Sequence, residues 1–333
     1  MRAPRISVIL PVFNAEQTLD AAVESIVTQS MEDWELIAVD DGSTDASLSI
    51  LRAYETRDAR IRVIASAHGG IVAALQRGCA EARGDLLARM DADDISLPAR
   101  LSAQADLFDH TPGLALCGAR IQTHGSAPGM GRRRYDVWIN SLVRHEDIAR
   151  ELFVECPLPH PTFMMPRCVY ERLGGYRDVG WPEDYDLVLR AWQAGGRFAK
   201  PEAVLLHWRE RPGRLSMNDP RYAPEAFRRL KRHVLFQTCL QDERRAFIQW
   251  GAGEVGKRWL REWPVPPVAV VDIHPRKIGR SIHGVKVIVR EALPPPGSCF
   301  ILVAVGARGA RDEIREYLEP RGYREMEDYL FIA

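Results

Sequence analysis

Five aspartates stand directly after two predicted strands, where they could hold a divalent cation. They are Asp40 and Asp41 after one strand, and Asp91, Asp93 and Asp94 after another. Carboxylates so close together repel each other unless a cation or a ligand compensates their charge. Mg²⁺ and Mn²⁺ take oxygen ligands, and they commonly use one or two carboxylates together with water and substrate phosphates. The triplet Asp91-Ala92-Asp93 therefore predicts a metal site that also binds phosphate. The alternative is that these aspartates only form turns and cap helices.

The elements that must position these aspartates alternate between strand and helix. Short apolar runs predict strands, and apolar residues at helical spacing predict helices. The predicted strands are residues 6–10, 35–39, 61–65 and 85–90, and the predicted helices are one capped by Asn14 and those at residues 45–54 and 70–82. This alternation predicts an α/β fold with right-handed crossovers and a mostly parallel sheet. Ligands of such sheets bind at the carboxyl ends of the strands, which is where the aspartates stand.

Two domains are expected from the chain length of 333 residues. The apolar periodicity weakens at residues 119–159, which predicts a variable loop region over the active-site face. A new strand-loop-helix pattern begins at Phe247, after a predicted helix and linker at residues 224–242. We therefore expect a first domain at residues 1–240 and a second at residues 244–333.

The composition excludes several functional classes. Lys and Arg together number 45, as do Asp and Glu, so no net charge favours nucleic acid as a partner. The six cysteines show no CxxC pair, which favours a reducing compartment, and no apolar stretch reaches about 18 residues. The protein is expected to be soluble or peripheral at most. Two basic clusters, residues 132–134 and 228–233, could meet a membrane surface or a phosphate, or could be solvated faces.

Several motifs resemble the family 2 glycosyltransferases, which have the GT-A fold. The resemblance covers roughly residues 5 to 218, with the motifs in family order and spacing. The motifs are Ser7 to Asn14 (SVILPVFN), Trp34 to Asp45 (WELIAVDDGSTD), Gly70 to Leu75 (GIVAAL), Arg89 to Asp94 (RMDADD) and Glu183 to Leu187 (EDYDL). One departure is Leu75-Gln76, where many relatives carry Arg-Asn.

The resemblance implies a role for individual residues in binding the donor. Asp41 corresponds to the carboxylate that reads the nucleobase. Asp91 and Asp93 correspond to the DxD motif, in which the first residue faces the ribose or substrate and the last holds the metal. The other implied donor contacts are Pro11, Phe13 and Asn14 in the nucleotide pocket and Arg209 near the diphosphate; Arg209 could instead be a plain surface residue.

The resemblance also implies that Asp184 is the general base. Glycosyl transfer requires a stabilised leaving diphosphate and a base for the acceptor hydroxyl, and the two sets of carboxylates meet both needs. The alternative for Asp184 is a helix N-cap, because it precedes a helical pattern. His160, between two prolines, could contact the acceptor or could be structural.

The implied reaction is an inverting transfer of a sugar from a nucleotide diphospho-sugar, expected to be UDP-linked, to the hydroxyl of a saccharide or lipid-linked acceptor. The implied cofactor is Mn²⁺ or Mg²⁺, and the family's usual work suggests bacterial surface polysaccharide or glycoconjugate biosynthesis. The expected location is cytoplasmic, with peripheral attachment at the inner face of the plasma membrane. Two alternatives are a degenerate transferase that senses nucleotide-sugars or acts as a scaffold, and an NAD-linked oxidoreductase using the C-terminal domain.

The C-terminal region contains a second candidate ligand site. Gly251, Gly253 and Gly256 form a GxGxxG pattern between a predicted strand and helix, and Asp272 follows at the end of the next strand. This predicts a small Rossmann-like domain, and the region resembles the N-terminal nucleotide-sugar-binding domain of bacterial sugar acetyltransferases. The ligand would be a nucleotide or nucleotide-sugar first and NAD second; the glycines could equally serve only helix-strand packing.

Overall fold

The computed structural model describes residues 3–125, 129–211, 215–241 and 246–333. The chain forms two compact units. The first comprises Met1–Ala149 and Pro157–Tyr222, and the second comprises Arg150–Cys156 and Ala223–Ala333.

This division differs from the predicted boundary at residues 240–244. The helix from residue 224 to 237 packs within the second unit, where the Nζ of Lys231 donates hydrogen bonds to the carbonyls of Val154 and Ile332. A buried ammonium group needs such acceptors, so it ties the helix to both segments. The two functional domains stay a prediction.

The strands of the first unit alternate with helices, as the sequence predicts. They are β1 Ile6–Val12, β2 Trp34–Asp40, β3 Ile61–Ala65, β4 Leu86–Arg89, β5 Ile95–Ser96, β6 Leu114–Cys117, β7 Arg120–Gly125, β8 Met164–Pro166, β9 Arg197–Ala199 and β10 Val204–Glu210. The helices are α1 Leu19–Val27, α2 Ser47–Arg57, α3 Gly70–Ala80, α4 Arg100–His110, α5 Met130–Ser141, α6 His145–Glu151, α7 Arg167–Arg172, α8 Glu183–Gln193 and α9 Leu215–Asn218. Short 3-10 helices lie at His160–Thr162 and Pro220–Tyr222.

The main sheet has seven strands in the order β3-β2-β1-β4-β8-β6-β9. All residues of β1 and β2 are buried, which explains their continuous apolar runs, because a parallel sheet is covered on both faces. Val12 pairs with Asp40, and Ile9 pairs with Arg89. The carboxyl ends of β1, β2 and β4 therefore meet at one edge of the sheet, and the mostly parallel α/β fold is confirmed.

A second sheet, in the order β5-β10-β7, lies beside the acidic cluster. β10 runs antiparallel to β5, with His207 opposite Ile95, and parallel to β7. This pairing brings Arg209 of β10 next to Asp94, which comes directly before β5.

Two local expectations are wrong. Thr18 rather than Asn14 occupies the N-cap position of α1, without a side-chain capping bond, and Asn14 adopts a left-handed conformation instead. The region 119–159 is not a continuous loop, because its described part contains β7, α5 and α6. The apolar pattern of α5 is weak because only one of its residues, Ile139, is fully buried.

The second unit contains another mostly parallel sheet. Its strands are β11 Phe247–Trp250, β12 Ala269–Val271, β13 Ser281–Ile282, β14 Val285–Ile288, β15 Phe300–Val303 and β16 Tyr329–Phe331, in the order β13-β14-β12-β11-β15-β16. Its helices are α10 Pro224–Gln237, α11 Glu254–Glu262 and α12 Ala310–Leu318, with 3-10 helices at Arg290–Ala292 and Glu319–Arg321. The strand-loop-helix pattern predicted from Phe247 onward is present. Across the described residues of both units, the helices are too short or too polar to cross a membrane.

Candidate active site

The aspartates after β4 form a compact cluster of oxygen atoms. One carboxylate oxygen from each of Asp91, Asp93 and Asp94 lies within 4.8 Å of the others. Asp94 is buried, and its Oδ1 accepts a hydrogen bond from the Arg209 N–H at 2.8 Å. Its Oδ2 has no hydrogen-bond partner among the described residues. Burial, followed by the charges of Asp91 and Asp93, raises the pKa of Asp94 well above its usual range. Three clustered carboxylates with an unsatisfied oxygen fit a hard divalent cation such as Mg²⁺ or Mn²⁺.

Arginines compensate part of the charge of this cluster. The Nη2 of Arg89 lies 2.5 Å from Oδ1 of Asp91, and the Nε of Arg211 donates to Oδ2 of Asp93 at 2.6 Å. The Nε of Arg209 donates to the carbonyl of Asp93 at 2.9 Å. Arg209 therefore lies beside the acidic cluster, and its contact with a diphosphate stays a prediction. Arg89 and Arg211 were missed by sequence reasoning, although Arg89 stands inside the RMDADD motif and Arg211 is two residues from Arg209.

Asp41 lies at the amino terminus of α3 and beside an aromatic pair. Its two carboxylate oxygens accept hydrogen bonds from the N–H groups of Gly69 and Gly70, each at 2.8 Å. The Nδ1 of His68 lies 2.9 Å from Oδ2 of Asp41, and the His68 ring stacks on Phe13 with centroids 4.2 Å apart. Phe13 is 47% exposed, so the pair offers a planar surface beside a carboxylate, which suits a nucleobase.

Asn14 ties the loop after β1 to the loop after β2. Its backbone has a φ of 48°, its N–H donates to Ser43 Oγ at 3.0 Å, and its Oδ1 accepts from the Thr44 N–H at 2.8 Å. Pro11 pairs with Val39 near the ends of the same two strands. The residues predicted to line the nucleotide pocket therefore come together at one edge of the sheet, and their contacts with a nucleotide stay predictions.

Asp184 is the second residue of α8, and Pro182 occupies the N-cap position. Its Oδ1 accepts a hydrogen bond from the N–H of Tyr185 at 2.7 Å, within the first helical turn. Burial, followed by the negative charge of Glu183, raises the pKa of Asp184 to about 7. The side chain keeps 19% exposure. A carboxylate with this pKa can accept and release a proton near neutral pH, as a general base must.

His160 lies beside this carboxylate. Its Nδ1 is 4.0 Å from Oδ2 of Asp184, and its Nε2 is 3.0 Å from the Tyr176 hydroxyl. Burial, followed by the positive charge of Arg89, lowers the pKa of His160 well below its usual range, so the ring is neutral at pH 7. The structure thus places His160 next to Asp184, and either an acceptor contact or a structural role is compatible with its position.

Arg89 acts electrostatically on both groups of carboxylates. Its side chain is buried, and its Nε and Nη1 have no hydrogen-bond partner among the described residues. It is ion-paired with Asp91, and its positive charge also lowers the pKa of Asp184, although burial of Asp184 outweighs this effect. Glu183, next to Asp184, is held by the Tyr222 hydroxyl, which lies 2.8 Å from both of its carboxylate oxygens.

The candidate ligand residues of the second unit also come together. Gly251 and Gly253 lie in the loop between β11 and α11, Gly256 lies in the first turn of α11, and Asp272 directly follows β12. All four line one cavity of about 350 Å³. Whether this cavity binds a ligand, and the resemblance to the acetyltransferase domain, stay predictions.

Comparisons with known proteins agree with the geometry of the first unit. EpsE of Bacillus subtilis is 34% identical over 212 residues, which are 62% of this chain and 73% of EpsE. The structure of Staphylococcus aureus TarS 1–349 in complex with UDP-GlcNAc superposes with a TM-score of 0.57 at 18% identity, over 70% of this chain and 66% of that one. Mannosyltransferase PcManGT from Pyrobaculum calidifontis, in complex with GDP-Man and Mn²⁺, gives a TM-score of 0.50 at 21% identity, over 73% of this chain and 66% of that one. At these identities the two structures show the fold alone.

The family model described as glycosyl transferase family 2 matches residues 7–174, which is half of the chain. The matched segment contains the strands that carry Asp41 and the Asp91–Asp94 cluster. This chain therefore belongs to family 2 of the glycosyltransferases.

Proposed function

We propose that this protein is a metal-dependent, inverting glycosyltransferase that moves a sugar from a UDP-linked donor to the hydroxyl of a saccharide or lipid-linked acceptor. The observation that carries the proposal is the pairing, within one unit, of the Asp91–Asp94 oxygen cluster with a partly exposed carboxylate of raised pKa at Asp184. The first suits a diphosphate with its cation, and the second suits removal of a proton from an alcohol.

The proposed step is a single displacement. The acceptor hydroxyl gives its proton to the carboxylate of Asp184 while its oxygen forms a bond to the anomeric carbon. The bond from that carbon to the donor diphosphate breaks, and the nucleoside diphosphate leaves with the electron pair. Because the attack comes from the side opposite the leaving group, the anomeric configuration inverts. Arg209 and Arg211, beside Asp93, supply positive charge for the leaving diphosphate.

Asp91 and Asp93 are the proposed ligands of Mn²⁺ or Mg²⁺. When bound, such an ion neutralises negative charge on the leaving diphosphate. The proposal is supported by the oxygen-only donor set, by the unsatisfied Oδ2 of Asp94 and by the Mn²⁺ described for PcManGT. The choice between the two ions is left to the experiment below.

The donor nucleotide is proposed to bind between the Phe13–His68 stack and Asp41. A uracil ring would lie on the exposed face of Phe13, and the UDP-GlcNAc complex of TarS supports a UDP-linked donor. A role in surface polysaccharide or glycoconjugate assembly follows the usual work of the family and is part of the proposal.

Peripheral attachment at the inner face of the plasma membrane has less support than the sequence suggested. Within the basic cluster 228–233, Arg228 and Arg232 both bond to Glu262, and Lys231 is buried. These three charges are engaged inside the second unit, so little of the cluster is available to anionic lipids. We therefore propose a cytoplasmic location.

A transfer assay tests the function. Purified full-length protein would be given a panel of UDP-linked and GDP-linked sugars, with Mn²⁺, Mg²⁺ or EDTA, and release of nucleoside diphosphate would be followed with saccharide and lipid-linked acceptors. Asp184→Asn should lower kcat by at least about 100-fold while donor binding persists, because only the proton acceptor is lost. Asp106→Asn, an exposed aspartate of α4, is the matched control and should be unaffected. If the wild-type protein binds a donor but transfers no sugar, the nucleotide-sugar-sensing alternative is favoured. If Asp184→Asn keeps near-normal turnover, the general base is another group.

A further inference from the structure

A cavity of about 350 Å³ opens in the second unit at the carboxyl ends of its central parallel strands. Its lining comes from the ends of β11 and β12, from the residues that follow β11, β12 and β15, from the first turn of α11, from α12 and from Arg290. Ligand sites of small molecules typically start at about 300 Å³, and the carboxyl ends of parallel strands are where such sheets bind them. The cavity is therefore large enough and correctly placed to hold a ligand.

Two of the three glycines around the start of α11 are required by the packing of the backbone. Gly251 has a φ of 112°, and a Cβ there would lie 2.7 Å from the carbonyl oxygen of Ala304. A Cβ on Gly256 would lie 2.0 Å from the carbonyl oxygen of Gly251. These two glycines are required by the packing of the chain itself.

Gly253 is not required by the packing of the chain. Its φ of −78° and ψ of −170° suit any residue, and a Cβ there would meet nothing within 4 Å. It lines the cavity and is the N-cap residue of α11, and because it has no side chain, it cannot cap the first N–H groups of the helix. The open space beside its backbone lets a ligand approach the first-turn N–H groups of α11, which have no acceptor within the helix.

The lining carries the charged residues Glu254, Asp272 and Lys277 near this loop, together with Arg290 of the 3-10 helix Arg290–Ala292 and Glu313 of α12. Asp272 accepts hydrogen bonds from the N–H groups of Ala252 and His274, at 3.0 and 2.8 Å, and from the Nζ of Lys277 at 2.9 Å. The ammonium group of Lys277 has two further donors for an anion. Glu254, which also lines the cavity, is 81% exposed and lies 3.6 Å from Lys257, so solvent screens its charge.

An apolar side chain stands at the rim. Ile273, directly after Asp272, lines the cavity and is 69% exposed. A large exposed aliphatic side chain beside a polar, anion-compatible loop offers a surface on which a planar base can be buried. The lining thus combines the three elements that a nucleotide needs: an anion site, an acceptor for one hydroxyl at Oδ1 of Asp272, and an apolar face.

We propose that this cavity is a second nucleotide site, separate from the acidic cluster of the first unit, and that it binds the nucleoside diphosphate portion of its ligand. The diphosphate lies against the backbone of Gly253 and the first turn of α11, near Lys277, and the base covers Ile273. A free nucleoside diphosphate, a nucleotide-sugar and a dinucleotide share this chemistry. The proposal does not depend on the glycosyl-transfer function.

Calorimetric titration of the full-length protein tests the proposal. UDP, ADP, UDP-GlcNAc and NAD would be titrated separately in EDTA, which suppresses metal-dependent binding at the acidic cluster. Gly253→Leu places a side chain in the open space, where a Cβ meets nothing within 4 Å, Lys277→Ala removes the cation nearest Asp272, and Lys286→Ala is the control at an exposed lysine of β14. The Tm of each variant is measured in parallel.

We expect at least one of the four probes to bind to one site per chain in EDTA. Which probe binds shows whether the ligand is a free nucleoside diphosphate, a nucleotide-sugar or a dinucleotide. Gly253→Leu should raise its Kd by at least about tenfold, and Lys277→Ala by several-fold, whereas Lys286→Ala and Asp93→Ala leave it unchanged. If Gly253→Leu lowers the Tm, its change in Kd is not used, and the change in Kd of Lys277→Ala tests the proposal instead. The proposal is overturned if no probe binds in EDTA, or if binding is lost in Asp93→Ala and kept in the two cavity variants.

Discussion

At the scale of single residues, the site depends on how burial and charge set proton affinities. Asp184 and Glu183 are adjacent carboxylates in a poorly solvated place, and Arg89 is the buried cation that acts on them and on Asp91. Burial alone would favour the neutral acid, whereas the guanidinium favours the carboxylate. The balance between the two fixes the pH at which Asp184 becomes a base.

The raised pKa of Asp184 predicts a pH dependence. The carboxylate is the active form of a base, so kcat/KM should rise with pH through about 7 and fall as the group becomes protonated below it. An aspartate of ordinary pKa would keep the enzyme active down to about pH 5. The measurement is kcat/KM at fixed donor and ion between about pH 5 and 9. Asp106→Asn should show the same profile, and a flat wild-type profile down to about pH 5 would contradict the assignment.

Arg89 gives a second prediction at this scale. Arg89→Gln removes the positive charge that favours the Asp184 carboxylate, so the midpoint of the pH profile should move upward by about one unit. Arg89→Lys keeps the charge and should move it much less. Removing the guanidinium also breaks the ion pair with Asp91, whose side chain is 27% exposed, so unfolding is measured for both variants. If both variants lose the same amount of activity and the midpoint of the pH profile does not move, Arg89 has only a structural role.

At the scale of elements, the loops after β1 and β2 and the start of α3 form one hydrogen-bonded group. Asn14 joins the two loops, and Asp41 satisfies the N–H groups of Gly69 and Gly70 where α3 begins. The first N–H groups of a helix have no partner within it, so a carboxylate at this point also stabilises the helix end. Asp41 thus stabilises the start of α3 in addition to its proposed contact with the nucleobase.

These two roles predict that Asp41→Ala lowers the stability of the protein and also weakens donor binding. Loss of the cap should cost about 1–2 kcal/mol, so the amides of Gly69 and Gly70 should exchange with solvent roughly tenfold faster. Hydrogen exchange followed by mass spectrometry on peptides covering residues 66–80 measures this. Asp41→Asn, which keeps one acceptor oxygen, should show a smaller change, and Asp106→Ala none. Unchanged exchange in Asp41→Ala would leave the carboxylate with a binding role alone.

At the scale of the whole molecule, the second unit is assembled from two separated stretches of chain. Within it, Glu151 is paired with Arg311 and Arg315, and Arg150 with Glu325. Phe236 of α10 packs on Phe247 and Trp263, with ring centroids 6.5 and 6.2 Å away. These contacts join residues 150–156 and α10 to the strands and helices that begin at Phe247.

The assembly predicts where the chain can be cut. A fragment of residues 1–240 would keep α10 without β11 and α11, and would expose the buried side chains of Leu230, Val234 and Leu235, each worth about 1.5–3 kcal/mol. A fragment of residues 1–222 lacks α10, and both fragments keep residues 150–156, so the comparison isolates the helix. We expect more aggregation and more binding of a hydrophobic dye by fragment 1–240, measured by light scattering and fluorescence. Equal behaviour would show that α10 does not need the second unit.

The sequence by itself determined the local features of this protein. Apolar runs and helical spacing placed β1 to β4 and α1 to α3 within a few residues, and the carboxylates after β2 and β4 identified the edge that carries the candidate site. These features depend on neighbouring residues, so they can be read from a single chain. The motifs were specific enough to identify the family.

Only the tertiary structure decided which distant residues meet. It brought Arg211 to Asp93, His160 to Asp184 and residues 150–156 to the second unit. It also showed that packing requires glycine at positions 251 and 256 but not at position 253. It further showed secondary structure within residues 119–159, including α5, whose apolar pattern is weak because Ile139 is its one buried residue. The physical reason is that ion pairs, buried charges and cavities depend on strand order and packing, which residues close in sequence do not specify.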